Sequence, residues 1–87
     1  MVRRRKLLRR VMRDLPDTSV GFDDLRRVLL HLGFQERVRG SHHIFTREDI
    51  VEILNLQPRG NLAKPYQVRQ VRGILRRYGL GGEIDGR

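Results

Sequence analysis

Arg39-Gly40-Ser41-His42-His43-Ile44-Phe45-Thr46 is the stretch whose reading decides the fold. Ile44 and Phe45 favour a strand, and Gly40 just before them supplies a turn. The reading is a hairpin, with Gly40-Ser41 at the bend and His42 to Thr46 as its second strand. Successive side chains of a strand point to opposite faces. His42 and His43 therefore cannot share a role: one ring faces the core, the other solvent or substrate. Imidazole titrates near neutral pH, so a ring on an open face can take and return a proton. Gly40 lets a substrate backbone come close. At this point the plainer reading, two strand histidines without chemistry, stands beside the functional one.

Working outward, Phe34 to Val38 reads as the first strand of the hairpin. Thr46-Arg47-Glu48-Asp49 is a polar turn, and Ile50 to Leu56 is a third strand dense enough in apolar residues to be well covered. Three consecutive strands with short connections form an antiparallel meander. Upstream, Phe22, Leu25, Val28, Leu29 and Leu32 make one apolar helix stripe. Gly21 is its N-cap, Val20 and Leu25 a hydrophobic staple, and Asp23 and Asp24 favour the first turn. Gly33 suits the left-handed position that ends the helix, with Phe34 folding back on Leu29. His31, in the last turn, is a capping or surface residue. Earlier still, Leu7, Leu8, Val11, Met12 and Leu15 recur at helical spacing. They predict a basic amphipathic first helix that ends at Leu15-Pro16. Its cationic face is either solvated surface or a phosphate contact, and seven cations within thirteen residues favour the second. Asp17 to Gly21 is a loop, and so is Gln57 to Lys64. Pro65 opens the last helix at its first position. Val68, Val71, Ile74, Leu75 and Tyr78 form its buried stripe, and Arg69, Arg72, Arg76 and Arg77 lie away from it. Gly79-Leu80 repeats the stop seen at Gly33-Phe34.

The expected architecture is α-α-β-β-β-α. This is an α+β fold with a three-stranded antiparallel sheet, helices on one face and the other face open. Its α-β-β-β-α part is that of a double-stranded-RNA-binding domain, which contacts RNA by shape and backbone. Residues 1–80 are expected to form the single domain, with the basic helix added at its start, and 81–87 a disordered tail.

Composition narrows the partners. Of 87 residues, 19 are Lys or Arg and 10 Asp or Glu, giving a formal net charge of +9. All but Lys6 and Lys64 of those cations are arginine, whose planar fork binds phosphate and stacks on bases. A small Arg-rich domain of this kind points to nucleic acid. With no cysteine, disulfides and thiolate metal sites are excluded and a reducing cytoplasmic setting is expected. Three histidines without an acidic cluster make a weak metal site, so neither metal nor cofactor is expected. No apolar run approaches the roughly 20 residues that span a membrane. Arg9 and Arg10 interrupt the start before a signal region could form, and the amphipathic start reads as part of the domain rather than a transit peptide.

Four segments together carry a resemblance. Leu32-Gly33-Phe34, Arg39 through Phe45, Gln57-Pro58, and Lys64-Pro65-Tyr66-Gln67-Val68-Arg69-Gln70-Val71-Arg72, followed by Ile74-Leu75, resemble the HicA toxins of HicAB toxin–antitoxin systems. The likeness runs from about Phe22 to Leu80. It implies a small RNase of double-stranded-RNA-binding-domain fold that cleaves messenger RNA. It also implies a HicB antitoxin that covers the active face, so that the toxin exists as a monomer or within a hetero-oligomer. The family's catalytic histidine directly follows Gly-Ser, which falls on His42. The first helix and a longer loop before the last helix depart from the shortest members.

RNA brings its own nucleophile, the 2′-OH, so a base beside that oxygen and cations beside the phosphate suffice. His42 is then the general acid/base. Arg39, Arg59 and Lys64 are the expected phosphate cations, with Gly40, Ser41 and Arg69 completing the RNA contacts. Ser41 either bonds the substrate or caps the turn, His43 is structural, and Tyr66 packs or stacks. Two other functions fit the same chain. One is a non-catalytic RNA-binding module. The other is a DNA-binding regulator using the first helix, against which the lack of helix-turn-helix spacing speaks.

Overall fold

The apolar stripe of the second predicted helix and its glycine stop are what hold the sheet and the helices in register. In the computed structural model, which describes residues 4–81, that helix (α2) runs Phe22–His31 from an N-cap at Gly21. Gly33 takes φ +93°. Its N–H bonds the carbonyl of Leu30 at 3.1 Å and the N–H of Phe34 bonds that of Leu29 at 3.0 Å. These are the two bonds of a Schellman stop, open to glycine because it has no Cβ to clash at positive φ. Phe34 is thereby turned back into the core, and the chain leaves directly into the first strand.

That strand (β1) is Gln35–Arg39, β2 is His42–Arg47 and β3 is Ile50–Leu56. They form one antiparallel sheet in the order β1-β2-β3, as the meander reading requires. Arg39 pairs with His42 across the Gly40-Ser41 turn, Glu36 with Phe45, and Phe45 with Leu54. An irregularity between Phe45 and Arg47 shifts the far end of the β2–β3 pairing. One sheet face carries Phe45, Leu54 and Leu56, all fully buried. They pack in one core with Leu25 and Leu29 of α2 and with Val68, Val71 and Leu75 of the last helix (α3, Pro65–Arg77). The other face, with Val51 and Ile53 exposed, is open. The last helix starts with Pro65 at its first turn and ends in a second Schellman stop, Leu80 N–H to Leu75 O at 2.7 Å.

The structure corrects the sequence reading in three places. Residues Gln57 to Lys64 are not a plain loop. Pro58–Arg59 (β4) and Leu62–Ala63 (β5) pair as a small hairpin. Val20, Gly21 and Phe22 close on it through Ala63 N–H to Val20 O and Phe22 N–H to Asn61 O, both 2.9 Å. The hairpin satisfies backbone groups that two-residue strands cannot satisfy alone. The first helix is not uniform either. An α-helical segment (α1, Arg4–Arg9) passes into a π turn, Arg10–Asp14, closed by Leu15 N–H to Arg10 O at 2.9 Å. Leu15, ahead of Pro16, is already extended.

The third correction concerns Arg72, expected on the solvent side of α3. It is half-buried, with Nε donating to Val11 O at 2.8 Å and Nη2 to Leu15 O at 2.6 Å. Arg76 reaches Met12 O at 3.3 Å. The carbonyls at a helix C-terminus lack partners of their own and attract cations. α3 therefore caps the first helix, while Val11 and Met12 bury beneath it. Burial pushes the Arg72 guanidinium down from its ordinary pKa, with Arg76 adding to the shift. The expected tail falls outside the described residues except for Gly81, which is buried against Met12. Among the described residues no helix is long and apolar enough to cross a membrane.

Candidate functional site

Strand alternation divides the two histidines as expected. His43 and Phe45 share the core face. The His43 ring meets the edge of Phe22, with centroids 4.9 Å apart, and its Nδ1 lies 2.7 Å from Glu36 Oε2. Glu36 also accepts a fork from Arg26, Nε to Oε2 and Nη2 to Oε1, both at 2.8 Å. Arg26 in turn bonds Asp23 at 2.7 Å. These bonds, the Arg26 pair first and His43 next, outweigh burial and hold the Glu36 carboxyl down at about 2. The network ties β1 and β2 to α2. A carboxylate whose folded value is depressed stabilises the protein above its unfolded value and loses that contribution as it protonates. Stability should therefore fall as pH drops from about 4.5 towards 2. Glu36→Gln should flatten that part of a denaturation-midpoint profile while lowering the midpoint at pH 7.

His42 is the first residue of β2 and lies exposed on the opposite face. Gly40, at φ +59°, makes the bend that sets His42 beside Arg39. The His42 Nδ1 is 3.0 Å from Asn55 Oδ1 on β3. An amide oxygen only accepts, so this bond forms in the tautomer whose hydrogen is on Nδ1. Asn55 is held in turn. Gln67 of α3, itself buried, donates through Nε2 to Asn55 O and accepts from Gln57 N–H, both at 3.1 Å. Gln57 then donates to Ser41 Oγ at 2.9 Å and accepts from Lys64 Nζ at 3.3 Å. Lys64 is the N-cap of α3, so its ammonium stands at the positive end of a helix dipole.

The structure thus brings His42, Gly40, Ser41, Arg39 and Lys64 to one end of the sheet. Ser41 is engaged by Gln57 and so shapes the turn. Arg59 lies exposed on the neighbouring β4–β5 hairpin. Arg69 stands apart from this group, paired with Asp17 at 2.6 Å on the far side of α3's start. Tyr66 is more than half exposed near the same helix end. Asn55, Gln57 and Gln67 were missed as site residues. Gln57 and Gln67 stand in the recognised motif, but nothing in a linear reading aims their amides at Ser41 and Asn55.

A hollow of about 630 Å³ opens at the other end of β2, lined by Gly33, Gln35, Thr46, Arg47, Glu48 and Asp49. His42 is not part of it. Among the described residues no group of three or more His, Cys, Asp or Glu side chains could hold a metal ion.

One family model matches the chain. Described as the HicA toxin of bacterial toxin–antitoxin systems, it covers residues 22–80 of 87, from the first residue of α2 to the stop after α3. No curated protein and no solved structure matched.

Proposed function

The chain belongs to the HicA family of bacterial toxins that act within toxin–antitoxin pairs, and from that premise we propose that it is a metal-independent endoribonuclease whose general acid/base is His42. The observation that carries this reading is the exposed His42 ring at the start of β2, its Nδ1 3.0 Å from Asn55 Oδ1 and its strand partner Arg39 across the Gly40-Ser41 turn. Nε2 takes the proton of a ribose 2′-OH. The 2′ oxygen attacks the adjacent phosphorus, the bond to the 5′ oxygen breaks, and a 2′,3′-cyclic phosphate forms. The imidazolium returns its proton to the departing oxygen or to water. Arg39 and Lys64 stabilise the charge that grows on the phosphoryl oxygens, and Arg59 extends the phosphate track. Incubating the purified protein with a messenger RNA in excess chelator should give cyclic-phosphate ends. A gel shift without cleavage would leave a non-catalytic RNA-binding module in its place.

Asn55 is a positioning residue in this scheme. A neutral hydrogen bond contributes about 0.5–1.5 kcal/mol, so Asn55→Ala should slow cleavage by up to roughly tenfold at an unchanged KM. Asn55→Asp, which keeps an acceptor for Nδ1–H, should recover part of that loss. The partner is a HicB antitoxin, and neutralisation requires that it cover the His42 ring.

A further inference from the structure

The net charge of this chain is not spread evenly over the fold. Arg26, Arg27, Arg47, Arg69 and Arg77 are each paired with a carboxylate of the sheet, α2 or the segment before it. Among the described residues, further exposed cations gather in two places. One is the His42 end, with Arg37, Arg39 and Arg59. The other is the first helix, where Arg5, Lys6, Arg9 and Arg10 are all exposed. Among the described residues, the one of these four that approaches a carboxylate is Arg9, 3.9 Å from Asp14.

The first helix is built against its own electrostatics. Arg5 and Arg9, and likewise Lys6 and Arg10, are four residues apart in one helical run, a spacing at which like charges destabilise a helix. The run is held in place by other means: Val11 and Met12 in the core, and the bonds from Arg72 and Arg76 to its carbonyls. A cationic ridge maintained at that cost is relieved by a polyanion. Successive charges four residues apart rise about 6 Å along the axis, which suits a row of phosphates.

We propose that Arg5, Lys6, Arg9 and Arg10 form a second RNA-backbone site, separate from the His42 face, that tethers long transcripts. The ridge lies outside the residues the HicA family model covers. It stands on the helical side of the sheet, whereas His42 is on the open side. A bilayer is disfavoured as the ligand because the apolar side of this helix is already used: Leu7 and Leu8 pack against the core that Val11 and Met12 enter, leaving no free face to insert. An acidic protein is disfavoured because the ridge has no apolar centre around which an interface could close.

The site rests on RNA being the ligand, not on cleavage, and its test reads binding alone. In a His42→Ala background, anisotropy of a labelled unstructured RNA of about 40 nucleotides is followed across salt concentrations, with and without Gln at positions 5, 6, 9 and 10. Each phosphate contact contributes about 0.7 to the salt slope on single strands. The Gln variant should lose roughly 2–3 units of slope and at least tenfold in affinity near 0.1 M salt. A variant with Lys at 5, 9 and 10 should keep both, which separates charge from helix damage. With His42 present, cleavage of a dinucleotide, too short to reach the ridge, should be unchanged by the Gln substitutions. An unaltered slope overturns the proposal. So does an unaltered slope accompanied by lost sedimentation with phosphatidylserine vesicles, which would make the ridge a lipid contact. If wild type fails to cleave RNA but the ridge slope holds, the enzyme reading falls and the tether stands. If RNA is cleaved and the slope does not move, the reverse is true.

Discussion

His42→Ala should reduce RNA cleavage by a factor on the order of 100 to 10,000 and abolish growth arrest on induction, with the fold intact. The magnitude is that of one positioned general base. The fold should survive because the ring is exposed and its one described bond, to Asn55, is on the surface. His43→Ala is the informative control. It removes the contact with Phe22 and the bond to Glu36, so it should lower the melting temperature yet leave turnover of the folded enzyme within a few-fold. Opposite outcomes for adjacent residues would follow directly from strand alternation. Retention of cleavage and toxicity by His42→Ala would end the catalytic assignment.

What was legible in the sequence depended on whether the cause was local. The stops at Gly33-Phe34 and Gly79-Leu80 are readable because a left-handed glycine followed by an apolar residue closes a helix within six residues. The division between His42 and His43 needed only the period of a strand and a buried Phe45 two residues on. The hairpin of Pro58–Arg59 and Leu62–Ala63 was not readable. Two-residue strands carry no periodicity, and this one is completed by Val20 and Phe22, about forty residues away in the chain. The same limit hid the burial of Arg72. Its surroundings in α3 look like those of any surface arginine, and only the docking of the π turn supplies the carbonyls that draw it inward. At the site, the imidazole and its glycine turn were readable. The Asn55–Gln67–Gln57–Ser41 chain that orients them was not, because an amide becomes informative only when its partners are in place.

Phe45→Ala should be the most destabilising single substitution, and it links the core to the chemistry. The ring is fully buried, opposite Glu36 on β1 and Leu54 on β3. Truncating a buried phenylalanine costs about 3–5 kcal/mol through lost transfer energy and the cavity left behind. Small domains have about 5–15 kcal/mol in total, and one of 87 residues stands near the lower end because it buries a smaller share of its surface. The melting temperature should drop by roughly 12–40 °C, leaving a substantial unfolded fraction at growth temperature. Toxicity should therefore fall although no catalytic group is touched. Cooling should restore it, because the residual folded molecules carry an unaltered His42. Phe45→Leu, which keeps most of the volume, should lose much less. Scanning calorimetry beside cleavage assays at two temperatures separates this loss from that of His42→Ala, which cooling cannot rescue. If Phe45→Ala melts within a few degrees of wild type, β2 is not anchored through this ring, and the claim that the core face of the strand holds His42 in place fails with it.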